Sequence, residues 1–207
     1  MLNLSKHKTI LIRILTDIYK RTDIGNILGF KGGTACYLFY DLPRFSTDLD
    51  FDLIDDFQAD LVFKRLNEII SKYGEIKEAH IKKNTIFFLL SYDSEDRNVK
   101  IEVSTRKTKD EYEILHYLGL SILVMKKKFI FANKLVALTE RRGVASRDLF
   151  DINFFFNKEW NINNETIQIR TGKTLSLYLK SLILFIKRNF SSTNILAGLG
   201  EVIDNKQ

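Results

Sequence analysis

The fold is decided by the stretch Phe30-Lys31-Gly32-Gly33-Thr34-Ala35, followed by Arg44-Phe45-Ser46-Thr47-Asp48-Leu49-Asp50-Phe51-Asp52. Two adjacent glycines let backbone N–H groups approach an anion closely, and Thr34 can open a helix whose positive end faces that anion. Alternate residues of a strand share a face, so Asp48, Asp50 and Asp52 point the same way. Three carboxylates on one face repel one another unless a cation is present, and Mg²⁺ prefers such oxygen ligands. The order of turn and strand therefore predicts metal-assisted chemistry on a nucleotide.

Around this stretch the hydrophobic pattern predicts a mixed α/β sheet with helices on at least one face. The predicted strands cover residues 27–31, 48–53, 76–81, 85–92 and 99–104, and the predicted helices cover 5–19, 34–40 and 58–72. The last three strands are separated by polar turns, which favour antiparallel neighbours. From residue 126 onward the segments 129–140, 147–156 and 175–190 have helical spacing. We predict an α/β core over residues 1–125 and a helical part over 126–207 that packs on it, with the active cleft between them.

Composition limits the class of protein. The chain has 207 residues, of which 45% are hydrophobic and 12% aromatic, enough for a packed core. Its single cysteine, Cys36, excludes an internal disulfide, and neither a signal peptide nor an apolar run long enough for a membrane helix is visible. These features predict a cytoplasmic protein without a membrane partner. The net charge of +6 favours a polyanionic partner such as RNA or DNA.

Four segments together resemble a known family. They are Lys31 to Ala35, Leu38 to Phe51 with its Arg-x-Ser-x-Asp-x-Asp pattern, Val99 to Arg106, and Ala132 to Ile152. In this order and spacing they resemble the AbiEii/AbiGii-type toxin nucleotidyltransferases, a branch of the DNA polymerase β-like superfamily. The resemblance covers about residues 27–156 and implies a polymerase β-like nucleotidyltransferase sheet for the core.

The resemblance also implies a function. A member of this family would be a Mg²⁺-dependent toxin of a toxin–antitoxin or phage-defence pair, with a separately encoded antitoxin. It would transfer a nucleotide from a nucleoside triphosphate to an acceptor such as the 3′ end of tRNA. Other nucleic-acid acceptors and protein hydroxyls remain open, and the sequence does not select the nucleotide base.

Three carboxylates are the predicted metal ligands. Asp48 and Asp50 form the family's Asp-x-Asp, and Glu102 lies on the polar face of a strand whose other face is Val99, Ile101 and Val103. Pairing of this strand with the aspartate strand would bring Glu102 to the aspartates. The resemblance to polymerase β-like enzymes implies that such a carboxylate binds the metal nearest the attacking hydroxyl. The alternative is a surface glutamate paired with a neighbouring basic residue, Lys100 or Arg106.

Asp52 lies beyond the family pattern, as an outer-shell or an exposed carboxylate. The predicted phosphate-binding groups are the N–H groups of Gly32, Gly33 and Thr34, with side chains from Arg44 and Ser46. The alternatives are a plain tight turn for the glycines and a counter-ion to the acidic strand for Arg44.

The helical part carries the remaining candidates. The resemblance implies that Lys134 and a downstream aspartate are needed for activity, and both Asp148 and Asp151 fit that position, three residues apart on one helical face. Basic residues of this part are expected to hold RNA beside the metal site: Lys126, Lys127, Lys128, Arg141, Arg142 and Arg147.

Two other interpretations of the sequence are less well supported, a phosphate-binding loop near the C-terminal end and a module without catalytic activity. Thr171-Gly172-Lys173-Thr174 lacks the glycine at position 167 that a phosphate-binding loop needs, and is predicted to be helix surface. A non-catalytic nucleotide- or RNA-binding module on the same scaffold is the alternative to the enzyme. The closely spaced carboxylates argue against that module, since keeping them without a metal is costly.

Overall fold

The computed structural model describes residues 4–93, 98–141 and 146–191. Contacts between residues divide the chain into two units. We call the first the sheet unit, which comprises residues 1–41, 45–108 and 112–125. The second, the helical unit, comprises residues 42–44, 109–111 and 126–207. In the described part of the chain, no helix is both long enough and apolar enough to cross a membrane.

The sheet unit contains helices α1 (Leu4–Lys20), α2 (Thr22–Gly25), α3 (Gly32–Phe39) and α4 (Ala59–Ile70), and a 3₁₀ turn at Asp56–Gln58. Its strands are β1 (Leu28–Lys31), β2 (Leu49–Leu53), β3 (Glu75–Lys82), β4 (Thr85–Ser91), β5 (Asn98–Ser104), β6 (Tyr112–Tyr117) and β7 (Leu120–Met125). Among the described residues these strands form one mixed sheet in the order β3-β4-β5-β2-β1-β7-β6. The α/β mixed sheet predicted from the sequence is confirmed.

Pairing directions within the sheet explain its order. β1 is antiparallel to β2 and parallel to β7, and β2 is parallel to β5. The runs β3, β4 and β5 are antiparallel neighbours, as their polar turns predict. Because β2 lies between β1 and β5, it is a central strand with a partner on each side.

Alternation along the central strands separates a core face from a polar face. Phe51 on β2 and Ile101 on β5 are fully buried. The helices α1 and α4 cover this core face: Tyr19 packs against Phe51, and the Phe63 ring stacks on Phe88 at 5.0 Å. Each fully buried large apolar side chain contributes about 1.5–3 kcal/mol. The same alternation puts the acidic residues of these strands on the opposite face.

The β6–β7 hairpin was not predicted from the sequence. Its two turn residues, Leu118 and Gly119, both have positive φ, 50° and 78°. A two-residue turn with this backbone is normally marked by Asn-Gly or Asp-Gly, because a leucine rarely adopts positive φ. The leucine therefore removed the signal by which the hairpin is recognised.

The helical unit contains α5 (Lys127–Glu140), α6 (Ser146–Asn157), α7 (Asn164–Thr171) and α8 (Leu175–Asn189). The prediction that residues 171–174 are helix surface holds only for Thr171, the last residue of α7, because residues 172–174 connect α7 to α8. Gly172 follows α7 with a φ of 69°, and the Thr174 side chain caps the N-terminus of α8 by accepting from the Leu177 N–H. The helix α7 was not predicted, because most of its residues are polar and its few apolar residues do not show helical spacing.

Candidate active site

The polar face of the sheet aligns charged side chains from three strands. Lys31 of β1 is paired with Asp50 of β2, and Asp50 is paired with Glu102 of β5. Neighbouring strands lie about 4.8 Å apart, so these residues form one row across the sheet. The structure thus brings Glu102 beside Asp50, although the two are far apart in the sequence.

The turn between β1 and α3 approaches the Asp50 carboxylate closely. Gly32 has a φ of 77°, and a Cβ placed on it would lie 2.2 Å from Asp50 Oδ2. Any side chain at position 32 would therefore displace the carboxylate as well as strain the backbone. The first N–H groups of α3 begin at this glycine, and helix N-termini leave such groups available for an anion. The carboxylate and the anion-binding backbone are thus adjacent.

Asp48 lies just before β2 rather than within it, because the strand begins at Leu49. Two side chains fix the backbone of this segment. The Thr34 hydroxyl donates to the Asp48 carbonyl oxygen at 2.5 Å, and His7 Nε2 donates to the Thr47 carbonyl oxygen at 3.0 Å. His7 Nδ1 and the Tyr92 hydroxyl are hydrogen-bonded at 2.7 Å. Because a carbonyl oxygen only accepts, His7 carries a proton on Nε2.

Sequence reasoning missed this role of His7. The three histidines lack the spacing of a metal site, so His7 was not a candidate. Another feature of the sequence points to this role, because His7 falls on the apolar stripe of α1 with Leu11 and Ile14. The residue is 1% exposed. A histidine inside an apolar stripe must find hydrogen-bond partners, and here they hold the segment before Asp48.

Asp52 is neither exposed nor part of the open row. Its carboxylate is 3% exposed, with Oδ1 at 2.5 Å from Lys31 Nζ and Oδ2 accepting from the Tyr112 hydroxyl at 2.8 Å. Both oxygens are therefore engaged. The alternative of an exposed carboxylate is wrong, and Asp52 is a counter-ion that orients Lys31 next to Asp50.

The carboxylates of Asp48 and Glu102 have no hydrogen-bond or ion-pair partner among the described residues. In particular, Glu102 forms no ion pair with Lys100 or Arg106 there. No three His, Cys, Asp or Glu side chains of the described ranges converge into a complete metal cage. Mg²⁺ seldom has such a cage, because it usually takes one or two carboxylates and is completed by water and substrate phosphates. The oxygen donors beside the Gly32 turn fit an ion of that kind.

The helical unit contains a second set of charges, which we call the buried ion cluster: Arg44, Lys134, Asp148 and Asp151. Arg44 donates two hydrogen bonds to Asp151, from Nε to Oδ1 at 2.5 Å and from Nη2 to Oδ2 at 2.6 Å. Lys134 Nζ lies 2.9 Å from Asp148 Oδ1 and 3.1 Å from Asp151 Oδ2. Bidentate contacts of this kind are among the strongest hydrogen bonds in proteins.

The side chains of the cluster are largely buried, so each charge depends on a neighbouring group of opposite charge. Asp151 is 0% exposed, Asp148 2% and Arg44 5%. Burial by itself lowers the pKa of Lys134, but the charges of Asp151 and Asp148 outweigh it and raise that pKa, so the ammonium stays charged. Arg141 Nη1 lies 3.2 Å from Asp148 Oδ2 without hydrogen-bond geometry, and in the described residues this oxygen has no donor. The Arg141 contact is therefore the weakest of the cluster.

The remaining candidate residues lie as follows. Both Asp148 and Asp151 contact Lys134, as their shared helical face predicts. Arg44 pairs with Asp151, and a separation of 107 residues hid this pair from sequence patterns. Phosphate binding by Ser46, Gly33 and Arg44 stays a prediction.

The basic residues predicted to hold RNA are partly neutralised. Lys126 and Lys128 form ion pairs with Glu111 at 2.7 and 3.3 Å, and their hydrogen bonds lower the pKa of that carboxyl. Lys127 Nζ lies 5.5 Å from the centroid of the Trp160 ring. Arg142 lies outside the described residues.

A family model and several solved structures match this chain. The model of a family described as Nucleotidyl transferase AbiEii toxin, Type IV TA system, matches residues 13–182. Comparison with curated protein sequences gave no match.

Three solved structures share the fold. A Helicobacter pylori protein described as a candidate nucleotidyltransferase matches with a TM-score of 0.63 and 24% identity, over 99% of this chain and 88% of that one. JHP933 from Helicobacter pylori matches with a TM-score of 0.61 and 24% identity, over 99% and 86%. An antigenic nucleotidyltransferase-like protein from Paracoccidioides brasiliensis matches with 0.56 and 16%, over 86% and 90%.

Proposed function

We propose, since the chain belongs to the AbiEii family of nucleotidyl transferase toxins of type IV toxin–antitoxin systems, that it transfers a nucleotide from a nucleoside triphosphate to an RNA hydroxyl. The acceptor we propose is the 3′ end of tRNA, and the reaction depends on Mg²⁺. The observation that carries this proposal is the row of Asp50 and Glu102 beside the Gly32 turn, where carboxylates and an anion-binding backbone meet. Membership in the family also implies a cognate antitoxin.

The sheet unit supplies the parts for in-line displacement. The N–H groups at Gly32, Gly33 and Thr34 bind the triphosphate at the positive end of α3. Asp48 and Asp50 would hold the cation, and Glu102 extends the site toward the acceptor hydroxyl. Bound Mg²⁺ would lower the pKa of that hydroxyl and neutralise charge on the phosphates. The hydroxyl oxygen attacks the α-phosphorus and gives its proton to solvent water. The bond between the α-phosphorus and the oxygen that bridges to the β-phosphorus breaks, and pyrophosphate leaves with that oxygen.

Incubation of the protein with labelled nucleoside triphosphates, Mg²⁺ and total tRNA tests this proposal. We expect label on tRNA and none on tRNA whose 3′-terminal diol has been oxidised with periodate. Label on protein instead of tRNA would redirect the acceptor to a protein hydroxyl. Binding of nucleotide or RNA without any transfer would favour the non-catalytic module.

The segment before β2 gives a prediction about His7. Its N–H donor holds the Thr47 carbonyl, so its loss should let the Asp48 carboxylate move away from the metal. We expect His7→Leu to raise the Mg²⁺ concentration for half-maximal transfer about tenfold, the usual size of an outer-shell effect. His7→Gln, which keeps an N–H donor, should recover most of the difference. Transfer measured against Mg²⁺ concentration gives the result.

Tyr19→Phe is the matched control for His7. Tyr19 is also a buried residue of α1 that donates to a backbone carbonyl, that of Leu28 at 2.8 Å, but it does not contact the segment before Asp48. It should cost stability without changing the Mg²⁺ requirement. An equal shift in both variants would mean that His7 only supports the fold.

A further inference from the structure

The row of side chains that contains Asp50 and Glu102 continues beyond the carboxylates. Glu102 of β5 is paired with Phe87 of β4, and Phe87 is paired with His80 of β3. The two rings stack with centroids 5.1 Å apart and an interplanar angle of 21°. A parallel aromatic pair therefore lies one strand beyond the last carboxylate of the candidate site.

This pair lies on the open face of the sheet. On β5, the exposed residues Lys100 and Glu102 alternate with fully buried Ile101, and β3 has no fully buried residue. Phe87 is only half-buried, whereas Phe88 on the opposite face is completely buried. The core therefore does not account for an aromatic side chain at position 87.

The surroundings of the pair include two lysines, and His80 Nδ1 lies 3.0 Å from Glu78 Oε1. Base stacking on an aromatic ring contributes about 1–3 kcal/mol and accepts any base. Lys82 and Lys100 lie on the same face in the two neighbouring rows, where they can meet the phosphates that flank a stacked base. The triphosphate site at Gly32 lies at the other end of the row, with Asp50 and Glu102 in between.

We propose that His80 and Phe87 form a stacking platform for the terminal base of a single-stranded RNA acceptor. The platform places the 3′-terminal hydroxyl at Glu102. This inference rests on the proposed function, which it deepens by naming where the acceptor binds. The position of the platform on the Glu102 side of the row selects the acceptor rather than the incoming nucleotide.

The test uses the full chain and a short single-stranded RNA with 2-aminopurine as its 3′-terminal base. Stacking on an aromatic ring quenches the fluorescence of this base. We expect RNA to quench on binding to the parent protein, and Phe87→Leu to remove the quench and weaken RNA binding about 5- to 100-fold. Phe87→Tyr should retain both, and the KM for the nucleoside triphosphate should be unchanged in either variant. His80→Leu, on the exposed strand β3, should weaken binding in the same direction and gives a second result if Phe87→Leu does not fold.

Phe57→Leu is the control, because Phe57 is 91% exposed and lies outside the row. It should leave RNA binding and quenching unchanged. A rise in the KM of the nucleoside triphosphate with normal RNA binding would assign the pair to the incoming base and overturn the proposal. Transfer to RNA that does not depend on Phe87 or His80 would also overturn it. If the parent bound RNA through Phe87 but transferred nothing, the platform would stand and the proposed function would fail.

Discussion

Asp50→Asn is expected to abolish nucleotide transfer, by about 10³-fold or more, while the protein stays folded. Asparagine has nearly the same shape as aspartate, so it preserves the close contact with the Gly32 turn and removes only the charge. Cation binding in such sites contributes several kcal/mol of charge stabilisation, which corresponds to this loss of rate. Asp48→Asn should act in the same direction.

Thermal unfolding separates loss of metal binding from loss of fold. Without Mg²⁺, Asp50→Asn should melt no lower than the parent, because it removes repulsion between neighbouring carboxylates. With Mg²⁺ and a nucleoside triphosphate, the parent should be stabilised and the variant should not. Asp60→Asn, at an exposed aspartate in the first turn of α4, should behave as the parent in both assays. Transfer by Asp50→Asn at a near-parental rate would show that the metal assignment is wrong.

Asp151→Asn is expected to lower the free energy of unfolding by about 3–5 kcal/mol, the usual cost of leaving buried charges unpaired. Arg44 and Lys134 both rely on this carboxylate, and Asp151 is 0% exposed. Asp148→Asn should cost clearly less, because Lys134 keeps Asp151 and the other contact of Asp148 is a side chain that is 60% exposed. The structure thus ranks the two aspartates by their expected contribution to stability, although the sequence did not distinguish them.

Urea unfolding of the two asparagine variants and of Lys134→Ala measures this ranking. The double variant Arg44→Leu with Asp151→Asn should lose less stability than the two single variants together, since each single change already breaks the same pair. Most transfer activity should be lost in Lys134→Ala. A larger stability loss in Asp148→Asn than in Asp151→Asn would contradict the ranking, and full activity in Lys134→Ala would remove the helical unit from the chemistry.

The parts of the fold that the sequence predicts are those in which apolar and polar residues alternate over a few neighbouring positions. The alternation of Leu49, Asp50 and Phe51 is local, so the strand was predicted correctly from residue 49 onward, whereas Asp48 lies just before it. The resemblance to the AbiEii family is confirmed, and the match over residues 13–182 extends beyond the segments that carried the resemblance. The placement of Glu102 beside Asp50 followed from the pattern of β5 once a neighbouring strand was assumed.

The parts that escaped prediction depend on contacts between distant residues. The Arg44–Asp151 pair joins positions that no periodicity links, and the hydrogen bond from His7 to Thr47 joins α1 to a segment 40 residues away. Asp52 was left as an exposed or outer-shell residue because its partner Tyr112 lies on a hairpin that was itself missed. In each case the chemistry of the residue was visible, but its partner was not.

The pairing of β2 with β5 bears on how the toxin becomes active as it is synthesised. Asp50 leaves the ribosome early, whereas Glu102 follows only after α4 and the β3–β4 hairpin have been made. Parallel pairing of strands so far apart in the sequence also forms slowly, because a long loop must close first. A nascent chain that ends before β5 therefore has the Gly32 turn and Asp50 but lacks Glu102. If these residues act as proposed, the topology delays nucleotide transfer until β5 has been translated.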